Sequence, residues 1–121
     1  VHAVADLAMA SALFVGLLGG TVVDRGTRSD HRWMELDWGG PLGVRLVSPV
    51  DGPPGETLAR WLGDRSGRVH HLELVVEEPE TVPGVRPGDP AVIGLDTGRE
   101  DGTWVVEPGV NAGLRLVLHA R

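Results

Sequence analysis

In the run Gly67-Arg68-Val69-His70-His71-Leu72-Glu73-Leu74-Val75-Val76-Glu77, an imidazole and a carboxylate, His71 and Glu73, alternate with Leu72, Leu74 and Val76. That is the period of a strand buried on one face, so His71 and Glu73 share the other. An imidazole that titrates near 6.5, placed beside a carboxylate, needs little tuning to move a proton at neutral pH. Arg45 in Gly43-Val44-Arg45-Leu46-Val47 and Arg115 in Gly113-Leu114-Arg115-Leu116-Val117 hold the same place in two similar segments. A guanidinium in such a position can take a carboxylate or phosphate in bidentate fashion.

The elements that must carry these residues repeat. Val1 to Ala5 reads as a short strand. Asp6 is placed to cap a helix whose stripe is Ala10, Leu13, Phe14, Leu17 and Leu18, with Gly19-Gly20 as its stop. Strands are expected at Thr21 to Asp24, His31 to Trp38 and Gly43 to Ser48. A connecting helix follows over 55–64, with Leu58, Trp61 and Leu62 at helical spacing. The series then restarts, with strands at His70 to Glu77, Ala91 to Leu95, Gly102 to Glu107 and Gly113 to Val117. Such self-similarity predicts a duplicated unit: one domain over 1–121, with module one at 1–50 and module two at 68–121. Between Glu78 and Gly88 three prolines and two glycines exclude an ordinary helix, so the second module is expected to lack its helix. The outward face of Leu72, Leu74 and Val76 then has no cover of its own, which predicts self-association, as a homodimer, or a covering loop.

Composition removes several classes of function. With no cysteine there is no disulfide, thiolate metal site or thiol nucleophile, and the cytoplasm is the expected compartment. The net charge is −6 and the eleven basic residues, all arginine, are scattered, so no basic stripe exists for nucleic acid. The run Ala8 to Leu18 is too short to span a bilayer and lacks the basic flank of a signal peptide, so no membrane partner is expected.

Two stretches carry a family resemblance. Asp6-Leu7, Leu13-Phe14 and Leu17-Leu18-Gly19-Gly20 resemble the first helix of the vicinal oxygen chelate superfamily, which includes glyoxalase I, bleomycin resistance proteins and ring-cleaving dioxygenases. Thr57 to Leu62 running into Gly67, His70-His71-Leu72 and Val75 resembles its methylmalonyl-CoA epimerase branch. The resemblance implies an α+β, glyoxalase-like fold: two βαβββ modules whose curled mixed sheets enclose a cleft, with a divalent metal held by four side chains. His71 matches one of those ligands. The ligand on the last strand of module one, counted back from Pro49, falls on Arg45. Its counterpart in module two falls on Val117 or, by the internal repeat, on Arg115. The first-strand histidine falls ahead of Val1, and only a bulge would bring His2 into its place. A guanidinium has no lone pair to give a metal, so neither a bound metal nor another cofactor is expected.

On the implied cleft, strand alternation sets Trp33, Glu35 and Asp37 beside Arg45, and Glu73 beside His71. Met34, Leu36 and Trp38 are left for the core. His71, Glu73 and Glu35 are then the candidate catalytic residues, and Arg45, Arg115, Trp33 and Trp104 the candidate ligand-binding ones. His70 is expected to point the other way and to be structural or at the surface, and His2, His31 and His119 to be solvated at the surface. The resemblance implies a small anionic or carbonyl-bearing ligand and a metal-free isomerase or lyase, with Arg45 stabilising an enolate in place of the metal. The alternatives are an antibiotic-sequestering protein without chemistry, and a pseudoenzyme in which Arg45 pairs with Glu73 or Glu35.

Overall fold

The computed structural model describes residues 1–98 and 102–121. The chain divides into two compact units, Val1–Val69 and His70–Arg121.

In the first unit, β1 (His2–Val4) leads into α1 (Leu7–Ser11), where the Asp6 side chain accepts a hydrogen bond from the Met9 amide and caps the helix as expected. The helix continues as a π-helical turn over Ala12–Leu17. That wider turn changes which side chains face inward. Leu7, Ala10, Phe14 and Val15 pack on the sheet, whereas Leu13 and Leu17, which a regular 3.6-residue period puts on the core stripe, are exposed. Gly20 lets the chain leave the helix beneath Trp38, because a Cβ there would meet the indole at 2.7 Å. Trp38 Nε1 donates to the Leu18 carbonyl at 2.8 Å and closes the helix end.

The strands β2 (Thr21–Thr27), β3 (His31–Asp37), β4 (Gly43–Pro49) and β5 (Gly67–Val69) complete a five-stranded sheet of order β2-β3-β4-β1-β5. Only β1 with β4 is parallel. Its helix-covered face is apolar: Val4, Leu36 and Leu46 are buried there with Ala10, and Met34 and Val44 flank them. Between β4 and β5 runs α2 (Glu56–Leu62), which buries Leu58 and Leu62.

The second unit holds β6 (Leu72–Val76), β7 (Val85–Pro87), β8 (Thr103–Val106) and β9 (Leu116–Ala120), in the order β6-β9-β8-β7. Here β6 is parallel to β9 and the other pairs are antiparallel. Strand for strand this is the order of β1 to β4, so the duplication read from the sequence is present in the topology. The stretch between β6 and β7 forms a single 3-10 turn at Pro79–Thr81 and no α-helix. Leu72 and Leu74, on the edge strand β6, are left partly exposed.

Three expected strands are corrected. Residues expected as the strand Ala91 to Leu95 form α3 (Pro90–Ile93), because Asp89 caps it, Pro90 suits its first turn, and Gly94 at φ 79° ends it in the left-handed region. These boundary signals override the β preference of Val92 and Ile93. The middle strand lies earlier, at Val85–Pro87. The last strand begins at Leu116 rather than Gly113, since Ala112 and Gly113 both have positive φ in a turn that Asn111 closes onto the Leu114 carbonyl. The expected strand from His70 starts at Leu72, and Gly67–Val69 pairs with β1 in the first sheet.

Candidate functional site

In the first unit, the register sets Glu35 directly opposite Arg45, and Trp33 opposite Val47. Alternation puts these four on the face away from Leu36 and Leu46. Arg45 Nη2 donates to Glu35 Oε2 at 3.1 Å, and the guanidinium lies 5.4 Å from the Trp33 ring centroid, within cation–π range. Glu35 is one of the partners expected for Arg45. His2 pairs with Leu46 in register and packs against Phe14, with 6.2 Å between ring centroids, so it belongs to the helix-covered face and not to the Arg45 face.

In the second unit, four side chains gather. His71 is fully buried. Its Nε2 is 3.2 Å from Glu73 Oε1 and its Nδ1 is 2.7 Å from His70 Nδ1. Glu73 Oε2 is 3.6 Å from His119 Nε2. A carboxylate only accepts, so a neutral His71 carries its proton on Nε2, donates it to Glu73, and accepts from His70 through Nδ1. His71 thereby has both nitrogens engaged, and Glu73, with its side chain 28% exposed, is the accessible member of the group. Glu73 faces Val117 in register, and His119, two residues further along β9, comes to the same face.

His119 and His31 are buried, against the solvated surface positions expected for them, and His70 is buried against His71. His31 Nδ1 pairs with Asp30 at 2.6 Å. The signal missed for His119 is its spacing: residues 115, 117 and 119 alternate onto one face. Arg115 Nη1 donates to the Ile93 carbonyl at 2.6 Å, and its Nη2 lies 3.9 Å from Glu107, which also takes Arg86. Trp104 pairs with Leu118, one step out of phase with the Val105–Val117 pair on the Glu73 face. It therefore lies on the opposite face of the sheet from Glu73 and His119, and the expected stacking role beside them is corrected.

Burial is the main cause that pushes the His71 pKa below 6.5; the hydrogen bond to Glu73 opposes it, and the Arg115 charge adds to the lowering. Burial lowers His2 as well. A histidine with a folded pKa below its unfolded value binds fewer protons folded than unfolded. Stability is then full above 6.5 and declines as pH falls through that value toward the lowered one. The urea midpoint is expected to drop between about pH 7.5 and about pH 5.5. His71→Gln should shrink that drop, and an undiminished drop in the variant would refute the assignment.

The donor set does not fit the divalent metal that this fold implies. At the positions where the resemblance implies carboxylate or amide donors stand Arg45 and either Val117 or Arg115, none of which can give a metal a lone pair, and both His71 nitrogens are engaged within the protein. Among the described residues no group of three or more His, Cys, Asp or Glu side chains is placed to hold a metal ion.

The architecture is the glyoxalase-like fold of the vicinal oxygen chelate proteins, and solved structures of that kind superpose on nearly the whole chain. Methylmalonyl-CoA epimerase from Mycobacterium tuberculosis matches with a TM-score of 0.65 at 18% identity, covering 98% of this chain and 83% of its own. A hypothetical protein from Bacillus halodurans C-125 matches at 0.68 and 15% identity, covering 99% and 89%. Streptomyces coelicolor methylmalonyl-CoA epimerase, in complex with 2-nitronate-propionyl-CoA, matches at 0.60 and 14% identity, covering 98% and 91%. No protein-family model and no curated protein matches the sequence. Among the described residues no helix is long and apolar enough to cross a membrane.

Proposed function

We propose that the chain binds a small anionic or carbonyl-bearing molecule and moves a proton on it without a metal, as an isomerase or lyase. The observation that carries this reading is the partly exposed Glu73 carboxylate, held by the Nε2–H of buried His71 at 3.2 Å. In this scheme Glu73 removes a proton from the carbon next to a carbonyl, and the electron pair moves onto the carbonyl oxygen. Arg115, in the same unit as Glu73, supplies the fixed positive charge that an enolate needs. Return of the proton from Glu73 to a neighbouring atom on the same face completes an isomerisation, and loss of a leaving group completes a lyase reaction. His71 is a positioning residue in this scheme, since neither of its nitrogens is open to a ligand. Trp33 gives the Arg45 side chain an aromatic wall.

One observation favours a reading without chemistry: Arg45 already has Glu35 as a partner, which offsets its charge with no ligand present. Thermal-shift measurements with carboxylates and acyl thioesters in one set and cationic antibiotics in the other decide between them. The acid-and-thioester set is expected to raise Tm. A rise confined to the cationic set would establish the sequestering alternative, and no rise in either set would establish the pseudoenzyme.

A further inference from the structure

A second recess lies on the opposite, helix-covered side of the first sheet. It is a cleft of about 1160 Å³, bounded by α1, by β2 to β4, and by the loop and helix that follow β4, with Trp33 at its rim. Its volume is somewhat above the usual range of about 300–1,000 Å³ for small-molecule sites. Leu7, Met34 and Val50 give it an apolar lining, while Arg25 and Arg32 on the strands face Asp51 and Glu56 on the loop and α2. Asp6 also borders it, but its carboxylate accepts from the Met9 amide.

The other four charged residues are all solvent-exposed. Among the described residues the side chains of Arg25, Arg32, Asp51 and Glu56 make no hydrogen bond or ion pair, so the positive wall and the acidic wall do not reach each other. In register Arg25 faces Met34 and Thr27 faces Arg32, so the two arginines are diagonal neighbours on one sheet face, about 7–8 Å apart at their Cα positions. Like charges that close repel unless an anion lies between them. Across the cleft, two unpaired carboxylates offer the complementary end.

We infer that this cleft is a binding site for a two-ended ligand. An anionic group, carboxylate or phosphate, is taken by Arg25 and Arg32; a protonated amine is taken by Asp51 and Glu56; and an alkyl body lies over Leu7 and Met34. The site is independent of the chemistry proposed above, because Arg25 and Arg32 share the sheet face of Leu46 and not that of Arg45.

The test is an amide-resolved NMR titration of the full chain with ω-amino carboxylates and ω-aminoalkyl phosphates of increasing length. Hexanoate, hexylamine and inorganic phosphate serve as one-ended probes. A two-ended probe is expected to bind about tenfold tighter or more than any one-ended probe, the size of one net charge-assisted hydrogen bond. It should shift the amides of Thr27, Ser48 and Val50. The tighter of the two series identifies the anion. The double variant Arg25→Ala, Arg32→Ala should lose that advantage, and Glu56→Gln should weaken the two-ended probe while leaving inorganic phosphate unchanged. Equal binding of one-ended and two-ended probes, binding unaffected by the double variant, or no shift with any probe overturns the inference.

Discussion

Glu73→Gln is expected to slow proton exchange next to the carbonyl of a bound thioester or carboxylate by about a hundredfold or more, the usual contribution of a positioned general base. The amide keeps the shape of the side chain and can still meet the His71 Nε2–H, now 3.2 Å from Oε1, so folding should survive. What it loses is basicity. His71→Gln should behave differently, because His71 acts through Glu73: a smaller rate loss and a displaced pH profile are expected, as the carboxylate loses a donor and a desolvated neighbour. Deuterium incorporation from D₂O, followed by mass spectrometry, reads both variants. Undiminished exchange in Glu73→Gln would remove Glu73 from the chemistry, and an equal loss with an unshifted profile in His71→Gln would remove its positioning role.

The second large effect concerns the core. Leu46 is fully buried among Val4, Ala10 and Leu36, and Leu46→Ala is expected to cost about 2–5 kcal/mol through lost transfer energy and the cavity left behind. For a domain with total stability of roughly 5–15 kcal/mol, that is a large fraction. Leu17→Ala is the control. A regular helical period counts Leu17 as core, but it is 75% exposed at the end of the π-helical turn, and its removal should change stability by no more than about 0.5 kcal/mol. Urea unfolding of both variants compares them directly. Similar costs at the two positions would mean that Leu17 is covered and that the helix faces are misassigned.

These residues also mark how far sequence reasoning reaches. Asp6 was legible as a cap because its chemistry is local, as were the alternation of Met34 and Leu36 against Trp33 and Glu35 and the repeated order of strands. Leu13 and Leu17 were not, since the π-helical turn over Ala12–Leu17 changes the faces of the residues within it and leaves no mark on apolar spacing. Val92 and Ile93 looked like a strand because β-branched residues outweigh, by eye, the Asp89-Pro90 and Gly94 boundaries that make the segment helical. In the site, the His71–Glu73 pair could be read from two-residue spacing along one strand. His119 meets Glu73 only through the β6–β9 register, which no single strand reveals. Trp104 failed for the same reason: its face is fixed by pairing with Leu118.

The central claim is that this chain, with arginines where the resemblance implies metal ligands and a His71 engaged at both nitrogens, does not hold a divalent metal. Elemental analysis of freshly purified protein, repeated after incubation with Co, Ni, Mn or Zn and dialysis, tests it most directly. The expected result is metal far below stoichiometry in both preparations. One equivalent per chain that disappears in His71→Gln would contradict it.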